Sequence, residues 1–335
     1  MNHIKTNTLV VGQGLAGTLV AYNLYLNKIP FLVIDPGLAN TCSRIAAGMF
    51  TPVSGRRKTI HPLVARQILL AIETYKAIGV LTGSNILHLQ NIYQVFTSAP
   101  EQNDLFAKSM DASFAKYIIA NPVAAANIKH GFGACEITCS GWVDCGLLIE
   151  SFARWLKTNN ALIQAAFLHK DLQHGKDGMR YQGISFKNII FCEGYQAIDN
   201  PFFTNQSLIP CKGDILTIMS DDGPPGRIIK KDGIYLIATG QKKFKAGATY
   251  QWNNSKPGPE EAAKKLIELK LAAMLENKFT ITDHQSAIRP TTKNREVIAK
   301  QHPDHAGMYL LNGLGTKGVL QGPWWAEQLL LAVSF

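Results

Sequence analysis

Three glycines and one carboxylate near the start of the chain are the residues most suited to chemistry. Gly12-Gln13-Gly14-Leu15-Ala16-Gly17 has the GxGxxG spacing, and Asp35 closes the apolar run that follows. Gly12 permits a tight turn, Gly14 lets backbone approach a pyrophosphate, and Gly17 lets a helix pack close to a strand. A helix opening at Leu15 and Ala16 would turn free N–H groups and its positive dipole end toward the phosphates. Asp35 suits the ribose hydroxyls. The chemistry implied is capture of a dinucleotide, and FAD and NAD both use this motif. Near the other end, Asn312-Gly313-Leu314-Gly315-Thr316-Lys317-Gly318-Val319 is again a glycine loop placed to aim backbone N–H groups at a ligand.

These loops need rigid elements behind them. Thr8-Leu9-Val10-Val11 and Phe31-Leu32-Val33-Ile34 are β-prone, unbroken apolar runs, as in strands buried on both faces. Between them Leu15, Leu19, Tyr22 and Leu26 recur at helical spacing. Met308-Tyr309-Leu310-Leu311 leads into the second glycine loop, and an apolar helix ending in Ala326-Glu327-Gln328-Leu329-Leu330-Leu331 follows it. Pro323 is compatible with a first-turn proline or with a kink. Ser43-Arg44-Ile45-Ala46-Ala47-Gly48-Met49-Phe50-Thr51-Pro52 is rich in small residues, which suit close approach to a ligand.

This last segment resembles the FAD-dependent D-amino-acid-oxidase-like superfamily, which includes glycine oxidase, sarcosine oxidase and D-amino acid oxidase. The likeness recurs in Gly141-Trp142-Val143-Asp144, with Asp144 as a helix N-cap, and in Asn188-Ile189-Ile190-Phe191-Cys192-Glu193-Gly194. Leu147, Leu148, Phe152 and Leu156 would form the apolar face of the helix after Asp144. It continues in Pro210-Cys211-Lys212-Gly213-Asp214, Ala246-Gly247-Ala248-Thr249 and Ile288-Arg289-Pro290-Thr291-Thr292. The resemblance implies FAD, and two glycine-rich helix starts suit one long FAD better than one NAD. It places Ala47, Gly48 and Met49 beside the flavin ring, Ser43 and Arg44 near the phosphates, and Gly194 and Phe167 in the cofactor set. Gly313, Leu314, Gly315, Thr316, Lys317, Gly318 and Val319 would face the flavin pyrimidine edge. Arg289 matches the family's carboxylate-binding arginine, and Tyr235 matches a tyrosine that points into the active site. No cysteine follows Cys211, so the cysteinyl flavin link of sarcosine oxidases is absent and FAD is expected to be non-covalent.

The function implied is oxidation of the C–N bond of a small amino acid or N-substituted glycine, that is, of a carboxylate-bearing amine. Gly-Leu-Gly-Thr-Lys-Gly is also similar to the FAD domain of the bacterial bifunctional tRNA wobble-uridine modification enzymes, which implies a tRNA-modifying flavoenzyme as an alternative. Where the family often has Arg-Pro-x-Thr-x-Asp-x-x-Pro, this chain continues Lys293-Asn294-Arg295-Glu296-Val297. Replacement of the Asp and Pro bears on the substrate loop more than on the cofactor site, and leaves a flavin-binding protein without turnover as a third reading.

The fold expected is α/β. A discontinuous Rossmann-type FAD-binding domain occupies 1–81, 135–206 and 281–335, and an inserted α+β antiparallel-sheet substrate domain occupies 82–134 and 207–280. The insert shows strand-like runs at 92–96, 215–218, 227–229, 234–237 and 243–246, and Asp232-Gly233 is a hairpin signal. Pro259-Glu260-Glu261 opens a helix whose apolar face is expected through Leu266, Leu269 and Leu275.

Composition bounds the rest. The 335 residues carry a formal charge of +10, although only 17% are charged and 46% are hydrophobic. That excludes a disordered chain, and no apolar run is long enough to span a bilayer. The first residues lack the pattern of a secretory signal, and the six cysteines fit neither a disulfide framework nor a zinc site, so a cytoplasmic protein without metal is expected. The positive charge makes nucleic acid a possible partner, though not the favoured one. Arg56, Arg57 and Lys58 would form either a rim that draws in anions or a solvated loop, with His61 as a surface or capping residue, and Lys230, Lys231, Lys242, Lys243 and Lys245 would give a basic face. Oligomeric state is not encoded legibly.

Overall fold

A computed structural model describes residues 4–55, 57–120, 122, 124–175, 178–204, 206–221 and 226–335. The strands expected at both glycine loops lie in one six-stranded sheet. Its order is Leu162–Ile163, Phe31–Ile34, Thr8–Val11, Asn188–Phe191, Met308–Asn312 and Ile298–Gln301. All neighbours run parallel except Ile298–Gln301, an antiparallel edge. Every residue of Thr8–Val11 and of Asn188–Phe191 is buried, as covering both faces of a parallel sheet requires.

Helix Leu15–Leu26 follows the first strand and is buried on most of its circumference, from Gly17 through Tyr22 and again at Leu24. Leu26 does not continue the expected stripe: it is 54% exposed. The buried face is set by helix Gly318–Leu331, which packs alongside. A Cβ on Gly322 would lie 2.7 Å from Leu19 Cδ1, and one on Gly318 would lie 3.1 Å from Leu15 Cδ2. The missing side chains thus let two helices from opposite ends of the chain lie with their starts together.

Pro323 sits inside this second helix. Lacking an N–H, it cannot satisfy the carbonyl of Val319 one turn back. Tyr75, from helix Val64–Thr82, does so instead: its buried hydroxyl donates to Val319 O at 2.9 Å. Burial lifts the Tyr75 pKa well above that of a free phenol, so the hydroxyl remains a donor.

The second large sheet has nine strands. Its spine is Leu208–Met219 paired antiparallel with Thr280–Thr292 along almost its whole length. Asp232 (φ 46°) and Gly233 (φ 78°) both take the left-handed conformation that a two-residue hairpin demands, joining Lys231 to Ile234. This sheet crosses two of the expected domain borders. Ala134–Ile137 pairs with Ile92–Val95 and with Ile118–Ala120, and residues 281–292 pair with Leu208–Ile218. The strand Thr280–Thr292 runs unbroken from the far edge of the sheet to the second glycine loop, so no border falls at 281.

Helix Glu261–Met274 covers one face of this sheet, and the face it buries differs from the one expected. Leu266 and Leu269 are 47% and 70% exposed, whereas Ala263, Ile267, Leu271 and Met274 are buried, with Leu275 just beyond. The sequence offers two apolar stripes; Leu216, Ile218, Leu236, Phe244 and Ala246 on the sheet select the second. Alternation sends Cys211, Gly213, Ile215, Tyr235, Ile237 and Arg289 to the opposite face. There Ile215 and Ile237 share a core with Ala47 and Phe50 of the small-residue segment.

Candidate active site

The first glycine loop is held by backbone packing. A Cβ on Gly12 (φ +97°) would lie 2.5 Å from Cys192 O, and one on Gly17 would collide with Gly12 O. Gly14 makes room for a side chain: a Cβ there would lie 3.0 Å from Ser43 Oγ, which accepts the Leu15 N–H at 2.9 Å. The Ala16 and Gly17 N–H groups have no acceptor among the described residues. Asp35 accepts the Gln13 N–H at 2.7 Å on one oxygen and the Gly37 N–H at 2.7 Å on the other. Its carboxylate is therefore fixed in place with lone pairs to spare. Arg44, beside Ser43, is half-buried and has no ion pair among the described residues.

The small-residue segment runs next to this loop. Ala47 and Gly48 are buried, and a Cβ on Gly48 (φ +71°) would collide with the Val143 carbonyl. Met49 pairs with Trp142, so the segment is strapped to the strand Gly141–Val143. Asp144 caps the helix Cys145–Thr158 by accepting the Leu147 N–H at 3.0 Å.

The second loop closes on both. Asn312 donates from Nδ2 to Gly194 O at 2.8 Å, and the Gly315 N–H donates to Pro290 O at 3.0 Å. The N–H groups of Thr316, Gly318 and Val319 have no acceptor among the described residues. Leu314 packs where Gly318 lacks a Cβ, and burial, with Arg295 nearby, pulls the Lys317 pKa down. Two helix starts with free donors thus lie side by side, flanked by Asp35 at one end and Gly48 at the other. That arrangement fits an elongated anionic cofactor with a planar head, as FAD is. Phe167 belongs to the packing: its ring stacks on Tyr181 at 4.3 Å and meets Phe191 edge-on.

The wall facing this cradle carries Arg289. Its guanidinium lies over Gly213, where any Cβ would overlap both terminal nitrogens. Nη1 donates to Thr249 O at 3.2 Å, and the group sits 4.8 Å from the centre of the Tyr250 ring. No carboxylate is within ion-pair distance among the described residues. Burial opposes its charge, but Cys42, Tyr250, Tyr235 and Cys211 around it prevail and hold its pKa above the ordinary value. Burial pushes the Tyr235 pKa up, so its hydroxyl stays protonated.

The sequence reading did not single out the residues that hold Arg289. Asp214 is fully buried; it accepts from His284 Nε2 at 2.9 Å, from the Glu260 N–H at 3.1 Å and from Thr249 Oγ1 at 3.3 Å. It thereby fixes the turn whose carbonyl Arg289 uses. Lys212, also fully buried, donates to Glu260 at 2.8 Å. Hydrogen bonds from Lys212, then Asn254 and Gln251, hold the Glu260 pKa down to about 2. Lys212 and Asp214 alternate with Cys211 and Gly213, so the period-two pattern could have flagged them as a second, opposite-facing set.

Other expected residues scatter. Arg56 lies outside the described residues; Lys58 pairs with Glu101 at 3.3 Å. His61 is exposed, and its Nδ1 accepts the Leu63 N–H at 3.2 Å just ahead of helix Val64–Thr82, which has no side-chain cap. The five lysines do not form one basic face. Lys231 donates to the carbonyls of Lys129 and Ala273 at 2.7 Å, Lys242 pairs with Asp221 at 2.6 Å, and Lys230 and Lys245 lie on the Tyr235 side of the sheet.

A parallel sheet with two converging glycine loops, facing a sheet whose Arg289 has no acid partner among the described residues, is the arrangement of a dinucleotide-binding protein. The family model described as FAD dependent oxidoreductase matches residues 7–330, and the chain belongs to that family. It is an FAD-dependent oxidoreductase. Glycine oxidase from Geobacillus kaustophilus has a similar structure, with 17% identity and TM-score 0.81 over 100% of this chain and 96% of that one. Iminodiacetate oxidase from Chelativorans sp. BNC1 has 17% identity and TM-score 0.79, over 98% and 96% of the two chains. L-Amino acid deaminase from Proteus vulgaris has 14% identity and TM-score 0.80, over 98% and 94%.

Proposed function

We propose that this enzyme oxidises the C–N bond of a small amino acid or N-substituted glycine. The observation that carries the reading is Arg289: a half-buried guanidinium facing the cofactor cradle with no acid partner among the described residues. A substrate carboxylate supplies that partner, and the planar fork of arginine grips it by two parallel hydrogen bonds. Thr249 O fixes the orientation of the fork, and Tyr235, kept protonated, donates a further hydrogen bond to the carboxylate. The substrate α-carbon is thereby held at a set distance from Gly48. Bound FAD supplies the acceptor for the hydride and its two electrons. The residues of the wall exclude water around the reacting carbon; hydride loss from the neutral amine leaves an iminium, which takes up water after it leaves and splits into the oxo acid and the protonated amine.

Anaerobic bleaching of the flavin by a panel of amino acids and secondary amines tests this. Glycine and iminodiacetate, the compounds in the names of two similar proteins, belong in that panel. Failure of every amine to reduce the flavin would overturn the reading. FAD is held without a covalent bond in this reading, so acid precipitation should leave all of the flavin in the supernatant.

A further inference from the structure

Tyr235 has charged neighbours on its own face of the sheet. Its direct cross-strand partner is Lys230, and Ile237, the next residue on the same face, pairs with Lys245. Opposed residues in an antiparallel ladder have Cβ atoms about 4.5–5.5 Å apart and diagonal ones lie at about 7–8 Å, so two lysine stems leave the sheet beside Tyr235 on its own face. Neither Nζ has a hydrogen bond or ion pair among the described residues, in contrast to Lys58, Lys212, Lys231 and Lys242 nearby.

The surroundings do not neutralise them. Burial, and then the charge of Lys58, pull the Lys230 pKa down to about 8; Glu101, whose charge works the other way, is itself paired with Lys58. Gln94, paired in register with Lys230 on the adjoining strand, keeps a buried Oε1 with no donor. The charge of Lys245 acts on the Cys145 thiol, whose Sγ lies 3.0 Å from where a Cβ on Gly48 would be. Lys245 thus stands on the face of the sheet that is turned to Cys145 and Gly48. Cations withdrawn from water are costly to keep uncompensated, and a ligand anion removes that cost.

We propose that the pocket accepts an amine with two carboxylates, Arg289 taking the one next to the reacting carbon and Lys245 and Lys230 taking the other. The favoured class is then acidic amino acids and N-carboxyalkyl glycines, ahead of glycine, alanine or sarcosine. The inference rests on the carboxylate role of Arg289 proposed above.

The test is a titration of the FAD-loaded enzyme, followed by flavin absorbance, with unreactive malonate, succinate and glutarate against acetate and propionate. One dicarboxylate should bind about tenfold tighter than the monocarboxylates, the scale of one charge-assisted hydrogen bond. Lys245→Met and Lys230→Met should each shrink that ratio, while their flavin spectra and melting temperatures report that they are folded. Equal binding of both ligand classes, lost in Arg289→Met, would overturn this inference and leave the proposed function standing. Binding that Arg289→Met does not weaken, or no binding at all, would overturn both.

Discussion

At the residue scale, Arg289 is kept in place by what its neighbours lack and accept. Gly213 lacks a side chain where the guanidinium lies, and Thr249 O accepts from it. Gly213→Ala should therefore raise KM for carboxylate substrates while leaving FAD affinity as it was, measured by steady-state kinetics and flavin titration. Arg289→Ala should weaken kcat/KM by about 2–5 kcal/mol, as for a lost partner of a desolvated charge. Asp214→Asn acts one residue further back: it loosens the Thr249 turn, so KM should rise more than kcat falls. The motif around Arg289 was legible as Ile-Arg-Pro-Thr-Thr; that its guanidinium lies over Gly213 and bonds Thr249 O was not. Tyr250 is not legible in the sequence, because a single aromatic after Ala246-Gly247-Ala248-Thr249 carries no periodic signal.

At the element scale, the two glycine-bearing helices depend on bare contacts and on one borrowed donor. Gly322→Ala forces a methyl against Leu19 and should destabilise the fold by about 1–3 kcal/mol in urea unfolding. Tyr75→Phe leaves the Val319 carbonyl buried without a donor, at a cost of about 1–3 kcal/mol in the same assay. Glu260, ahead of helix Glu261–Met274, gives a pH signature. Its pKa is depressed from 4.5 to about 2 in the fold, so its contribution is present above pH 4.5 and is lost as pH falls through 2. The stability gap between wild type and Glu260→Gln should be constant above that window and close within it. Helix and strand identities here followed from pattern, but the buried face of Glu261–Met274 did not, because two apolar stripes compete until a sheet meets one of them.

For the whole molecule, the +10 charge that suggested an anionic partner is now divided. Lys212, Lys231 and Lys242 bond carbonyls and acids of the chain itself, whereas Arg44, Arg289, Lys230 and Lys245 have no ion pair among the described residues and are the cations left for the anions proposed above. A tRNA partner would need a continuous basic surface; these lysines are shared between two faces of one sheet. Filter binding of bulk tRNA should accordingly be weak, and a steep fall of log K with log salt would contradict that expectation. Cofactor binding should matter more for stability. With FAD across the helix starts from both ends of the chain, as proposed, adding it to apoprotein at about 100 times Kd should stabilise the fold by about 2.7 kcal/mol, read as a rise in Tm.

The sequence by itself determined the nucleotide-binding unit, because a GxGxxG loop between two fully apolar strands encodes local backbone geometry that no distant contact needs to supply. It likewise determined the hairpin at Asp232-Gly233, where two left-handed residues fix the turn. Only the tertiary structure decided that Pro323 lies inside a helix, since the donor that makes it tolerable is Tyr75, far away in the chain. It also decided which lysines bond within the chain and which have no ion pair among the described residues. Charge is written in the sequence, but whether a charge has a partner depends on which strands become neighbours, and strand neighbours are set by long-range packing.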